Sequence, residues 1–217
     1  MSFELFNTLT AYGDQIGFHT KLYETDDEGE AASILNQLKK FHNDWAEYNP
    51  RTTTVNNRWG LSITNHNGKL GAGPDLDSLH QYNEEHNTNY NEEDFVVKTP
   101  VYDIFEKYFA PFEQWLFRCH VLQLKPGGYF PPHVDMYGTA IKSFRLFIPL
   151  KNCNPTNHYF ILDNKLLYWE HGRMYFINTC KQHLLFNPSP STTLFVVLNV
   201  KLNQESVNHF LTAAYIR

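Results

Sequence analysis

The chain has 217 residues, of which 42% are hydrophobic, 16% aromatic and 19% charged, with a formal net charge of −5. One globular domain of ordinary size fits that length, and so much aromatic core material excludes disorder as the main state. No apolar run approaches the roughly 18 residues needed to span a bilayer, and Lys and Arg are scattered, with Lys39-Lys40 the longest run, so neither a membrane nor nucleic acid is an expected partner.

The opening MSFELFNTLTAYGD lacks the basic and apolar regions of a signal peptide. Cys119, Cys153 and Cys180 are an odd number without a CxxC, against a disulfide framework or a thiolate zinc site and in keeping with a reducing cytoplasm. Phe3 with Phe6, and Trp45 with Tyr48, read as core pairs. The acidic patch from Asp26 to Glu30 suits a solvated helix start. Ile34, Leu38, Phe41 and Trp45 fall at helical spacing and predict a helix over 30–45. NNRWGLSITNHNG then alternates as a strand and runs into a turn at Asn67-Gly68. Residues 70–91 read as a surface excursion with a short helix over 75–85. Residues 1–98 as a whole are expected to be helical and irregular. Thr99-Pro100 predicts a helix start, continued by Ile104, Phe105, Tyr108, Phe109 and Phe112, with Pro111 ending or kinking it.

After Trp115 the pattern changes. Candidate strands cover 116–124, 129–134, 142–150, 158–162, 165–169, 173–178, 183–187 and 193–202, broken by Gly, Pro and Asn clusters. So many short strands in the region 99–217 predict a mainly β fold with flanking helices, a double-stranded β-helix or jelly roll of the cupin kind, within a single domain over 1–217.

Pro131-Pro132-His133-Val134-Asp135 is the informative segment. Residues i and i+2 of a strand share a side, so His133 and Asp135 project an imidazole and a carboxylate into one space, and His183 in a later strand is placed to be a third ligand. Two histidines and one carboxylate leave coordination positions open, the arrangement of non-haem Fe(II) oxygenases. A carboxylate in that set leaves no place for a halide, which favours hydroxylation over halogenation. With 11 histidines in the chain, HxD alone is a weak signal, and a surface pair at a strand end is the plain alternative. The double proline, the strand context and His183 raise it.

The order LKPGGYFPPHVD, SFRLFIPL, WEHGRMYFINTCKQHLLFN, TTLFVVLNV resembles the Fe(II)/2-oxoglutarate-dependent oxygenases, in particular the aspartyl/asparaginyl β-hydroxylase family, over a little under half the chain. More loosely, NRWGLSITNHNG followed by PDLDSL is similar to 2-oxoglutarate oxygenases of tailed phages. The resemblance implies Fe(II), 2-oxoglutarate and O₂ as cofactor and cosubstrates. It implies His133, Asp135 and His183 as metal ligands and Arg145 as a contact of the 2-oxoglutarate carboxylate beside the metal, for which a bidentate guanidinium is suited. The implied activity is hydroxylation of an aliphatic carbon in a protein or peptide residue or a free amino acid. Two positions depart from the family. Thr193 stands where an arginine usually anchors the far carboxylate of 2-oxoglutarate, and Phe147 stands in place of a histidine. Thr193 offers one hydroxyl, and Arg145, Arg118 or Lys125 are the candidate sources of charge. A cupin-like metalloenzyme without 2-oxoglutarate and a non-catalytic jelly-roll binding protein stay open alongside. His120 reads as a core or surface histidine, with a pocket-facing position as the alternative. His158, His171 and His209 carry no signal, Trp169 and Gly172 read as a hairpin at the barrel rim, and Asn178 and Thr179 as turn or supporting residues beside the site.

Overall fold

Alternation along the strands after Trp115 sorts their side chains onto two faces, and each face finds a different cover. The computed structural model describes residues 2–18, 28–48, 57–70, 79–138 and 140–214. In chain order the elements are α1 (Ser2–Thr10), β1 (Gln15–Phe18), α2 (Glu28–Leu38), β2 (Ala46–Glu47), β3 (Arg58–Ser62), β4 (Thr64–Asn65), α3 (Leu79–His86), β5 (Val97–Lys98), α4 (Tyr102–Phe109), β6 (Leu116–Leu124), β7 (Tyr129–His133), β8 (Ser143–Lys151), β9 (Tyr159–Leu162), β10 (Lys165–Leu166), β11 (Met174–Ile177), β12 (His183–Phe186), β13 (Thr193–Lys201) and α5 (Gln204–Ala213). All strand pairs are antiparallel. A seven-stranded sheet runs β1-β11-β8-β13-β6-β3-β2, a four-stranded sheet β10-β9-β12-β7, and β4 pairs with β5. The two larger sheets face each other as a jelly roll.

The eight strands expected after Trp115 are all present, with β10 cut short at Leu166. Before it the outcome is mixed. The first 98 residues supply helices, but β1, β2 and β3 also extend the large sheet. The expected helix over 30–45 ends at Leu38, followed by a 3-10 turn at Lys39–Phe41. The helix expected over 75–85 is α3; its first expected residues, 75–78, lie outside the described residues, as do most of PDLDSL, Asp26 and Asp27, and the side chains of Phe3, Glu28 and Glu30. Thr99 does not cap α4 directly: its hydroxyl accepts from the Val101 N–H and donates to the Ser62 carbonyl, holding the turn before the helix. Pro111 ends the α-helical stretch at Phe109, and a 3-10 segment carries on to Trp115.

On the outer face of the large sheet, Phe144, Leu146 and Ile148 of β8 and Val196, Leu198 and Val200 of β13 pack against Phe105, Phe109 and Phe210 of the helices. Phe105 and Phe109 stack at 5.2 Å, and Phe210 meets Phe112 at 5.1 Å. Each fully buried ring of this kind is worth about 1.5–3 kcal/mol in transfer free energy. On the inner face, Leu122, Phe147, Phe195, Val197 and Tyr175 meet Phe160 and Leu185 of the small sheet. Trp169 belongs to this inner core, not to the rim as its sequence position implies: it packs on Phe160 at 5.3 Å and its indole N–H donates to the Cys153 carbonyl. Gly172, at φ +77°, makes the turn that follows. No helix among the described residues is long and apolar enough to cross a membrane.

Candidate metal centre

His133 at the end of β7 and His183 at the start of β12 are direct partners across the small sheet. Opposed residues of neighbouring antiparallel strands bring their Cβ atoms to about 4.5–5.5 Å, and the two imidazole centroids lie 4.2 Å apart. Asp135 leaves the strand two residues after His133, and its N–H donates to the Thr179 carbonyl at 2.9 Å. His133, Asp135 and His183 each offer a ligand atom, all within 4.8 Å of one another.

Their orientation is what a metal needs. His133 Nδ1 lies 2.7 Å from the Pro131 carbonyl and His183 Nδ1 lies 3.0 Å from the Lys181 carbonyl. A ring nitrogen facing a carbonyl carries the proton, so Nε2 of each ring keeps its lone pair. Those Nε2 atoms face Asp135, at 3.7 Å from Oδ1 and 3.8 Å from Oδ2. Burial pushes the Asp135 carboxyl up, but Arg145 and the two histidines outweigh it and the net shift is downward. Burial holds His183 below its ordinary value. An ionised carboxylate and a neutral imidazole are ligand forms.

Arg145 reaches the site from the inner face of β8, as alternation requires. Its Nη1 donates to Asp135 Oδ2 at 2.8 Å, its Nε to Asn199 Oδ1 at 3.0 Å and its Nη2 to the Tyr137 hydroxyl at 2.7 Å, with the guanidinium 4.0 Å over the Tyr137 ring. Tyr137 donates to Glu92 at 2.6 Å, and Glu92 pairs with Arg118 at 2.7 Å. Burial opposes the charge on Arg145, yet Asp135 raises its affinity for the proton overall. The network alternates cations with anions, so each buried charge is compensated. Arg118 sits at φ +47° in the middle of β6, where the pairing with β13 shifts register, and Asn199 bonds its carbonyl. Sequence alternation gave no signal of this bulge.

The other expectations separate. Thr193 is fully buried, with its hydroxyl 3.3 Å from His158 Nδ1, and the three cations named from sequence are engaged elsewhere: Arg118 is held by Glu92, Arg145 by Asp135, and Lys125 lies 4.1 Å over the Trp59 ring. Phe147 faces the lumen among Phe160, Trp169 and Phe195. Thr179 supports the site through its carbonyl and a side-chain hydrogen bond to Asp135, whereas Asn178 turns away to Asp14 at 2.9 Å. Tyr48, read as core, lines the pocket beside the metal group. So does His120, which is buried. The cavity itself is small, about 30 Å³.

No protein-family model matches the chain, and no curated protein matches it. Among solved structures it is similar to a Pseudomonas putida prolyl-4-hydroxylase, with 11% identity, a TM-score of 0.50, and coverage of 94% of this chain and 100% of that one. Shorter stretches are similar to a predicted oxalate decarboxylase of Thermotoga maritima (15% identity, TM-score 0.33, 43% of this chain and 74% of that one) and to a cupin domain of Bordetella pertussis (16% identity, TM-score 0.31, 40% and 82%). Fold and site together define a jelly roll of the cupin kind with a His-Asp-His group able to hold a metal ion.

Proposed function

We propose that the protein is an Fe(II)- and 2-oxoglutarate-dependent dioxygenase that hydroxylates an aliphatic carbon, in an amino-acid residue of a protein or peptide or in a free amino acid. The observation that carries the reading is the inward aim of two Nε2 lone pairs and one carboxylate, with both Nδ1 atoms engaged by backbone carbonyls. The whole-chain likeness in fold to a prolyl hydroxylase is in keeping with it. His133, Asp135 and His183 would hold the iron, which with 2-oxoglutarate and O₂ would supply the oxidising chemistry. The chain's own residues do the rest. Arg145 fixes the orientation of the Asp135 carboxylate through Oδ2, and Phe147, Phe195 and Leu185 give the pocket apolar walls.

Incubation with Fe(II), ascorbate, 2-oxoglutarate and air tests this reading. Succinate should form with the wild-type chain and fall to background in His183→Ala. Succinate at wild-type level in that variant would overturn it.

A second reading, a cupin-like metalloenzyme that does not use 2-oxoglutarate, is favoured by one observation. The position of the usual anchoring arginine is Thr193, partnered by a neutral histidine. Tight metal binding without any succinate formation would select it.

A further inference from the structure

Resting on the oxygenase reading, we infer that His120 contacts the cosubstrate directly and receives the carboxylate of 2-oxoglutarate that lies away from the metal, in place of the cation absent at Thr193.

His120 is 1% exposed, and neither its Nδ1 nor its Nε2 has a hydrogen-bond partner. A buried imidazole with both nitrogens orphaned is costly, and native structures keep such groups where a ligand or ordered water completes them. This one is aimed at the pocket that holds His133, His183 and Arg145. Its row in the large sheet is Ser62, His120, Val197 and Phe147, by direct pairing of β3, β6, β13 and β8. Arg145 is one inward-facing step along β8 from Phe147. The backbones of β6 and β8 are two strands, hence about 10 Å, apart, and His120 and Arg145 line one pocket from those two strands. Ser62, opposite His120 and on the same face, also has a buried Oγ without a partner.

Chemistry gives the sign of the ligand group. Burial, then Arg118 and Arg145, hold His120 well below its ordinary value, so it offers a neutral N–H donor. Arg58 of β3, beside β6 in the same sheet, stands 4.5 Å over the ring of Phe130, which lines the same pocket, and adds positive potential there. Elsewhere the wall away from the metal is apolar, with Leu122, Phe195 and Val197. Among the described lining residues away from the metal group, a carboxylate entering there meets His120 and Tyr48, whose rings lie 5.4 Å apart.

Calorimetric titration of the full chain loaded with Mn(II), which does not turn over, tests the assignment with two 2-oxo acids. One is 2-oxoglutarate; the other is 2-oxopentanoate, of equal chain length with a methyl in place of the distal carboxylate. His120→Leu should bind Mn(II) within about twofold of wild type, bind 2-oxoglutarate at least about tenfold more weakly, and bind 2-oxopentanoate within about twofold, since a lost hydrogen bond to a charged group has that size. His120→Gln, which restores an N–H, should recover most of the 2-oxoglutarate affinity. If the leucine variant does not fold, His120→Met carries the same comparison. Unchanged 2-oxoglutarate affinity, or equal weakening of both acids, would overturn the assignment while leaving the oxygenase reading intact. Wild-type protein that binds Mn(II) but neither acid would overturn both.

Discussion

Arg145 shows how far a single residue can be read from its neighbours. Ser143, Arg145 and Phe147 alternate with Phe144, Leu146 and Ile148, and an apolar set of that size belongs under the helices, which turns Arg145 inward. The structure agrees and gives the guanidinium Asp135, Asn199 and Tyr137. His120 and Tyr48 were not legible in the same way, because lining a pocket depends on which strands become neighbours. Asp135→Asn keeps the shape but leaves Arg145 buried beside a neutral amide. Unfolding by urea should show a loss of about 3 kcal/mol, with weakened metal binding in a parallel titration. Arg145→Lys keeps the charge and loses the fork to Asn199 and Tyr137. It should cost about 2 kcal/mol of stability while metal affinity stays within severalfold of wild type. An Arg145→Lys protein as stable as wild type would mean that those bonds contribute nothing in solution.

Among the elements, β6, β8, β9, β11, β12 and β13 could be placed from sequence because each buries residues of at least one face, and β7 and β10 by the turn residues that flank them. β1 and β2 could not. Gln15–Phe18 takes its strand identity from pairing with β11, and Ala46–Glu47 from pairing with β3, contacts that local sequence does not contain. The same long-range logic makes α1 a support of the segment that carries Asp135. Phe6 of α1 packs on Phe176 at 6.0 Å and also lies against Gly138, three residues after Asp135. Gly138 has φ +82°, and a Cβ there would meet the Phe6 ring at 2.3–2.5 Å. Gly138→Ala should therefore lower the urea midpoint by the equivalent of about 2 kcal/mol or more, since it combines a left-handed backbone with a clash against a ring. Phe6→Ala in the Gly138→Ala background should restore part of the loss. No recovery in the double variant would show that Phe6 is not the obstacle.

At the scale of the whole molecule, the buried neutral histidines tie stability to pH. Burial pushes His158 down to about 3, and moves His120 in the same direction. The unfolded chain takes up these protons near pH 6.5, whereas the folded chain does not, so the unfolded state binds more protons between pH 6.5 and about 3. Stability should be full above pH 6.5 and fall below it, by about 1.4 kcal/mol per pH unit for His158 alone within the window. Asp135, held below the ordinary carboxylate range, contributes its share down to about pH 4 and loses it only beneath that. Urea midpoints at pH 7.5 and 5.0 measure the slope, and His158→Leu should flatten it; an unchanged slope would place His158 outside the effect. The central claim is the metal centre with its chelating 2-oxo acid, and one spectrum tests it most directly. Apo-protein mixed anaerobically with one equivalent of Fe(II) and then titrated with 2-oxoglutarate should develop a visible charge-transfer band that saturates, and His133→Ala should not develop it. Tight Fe(II) binding with no band at saturating 2-oxoglutarate would contradict the account.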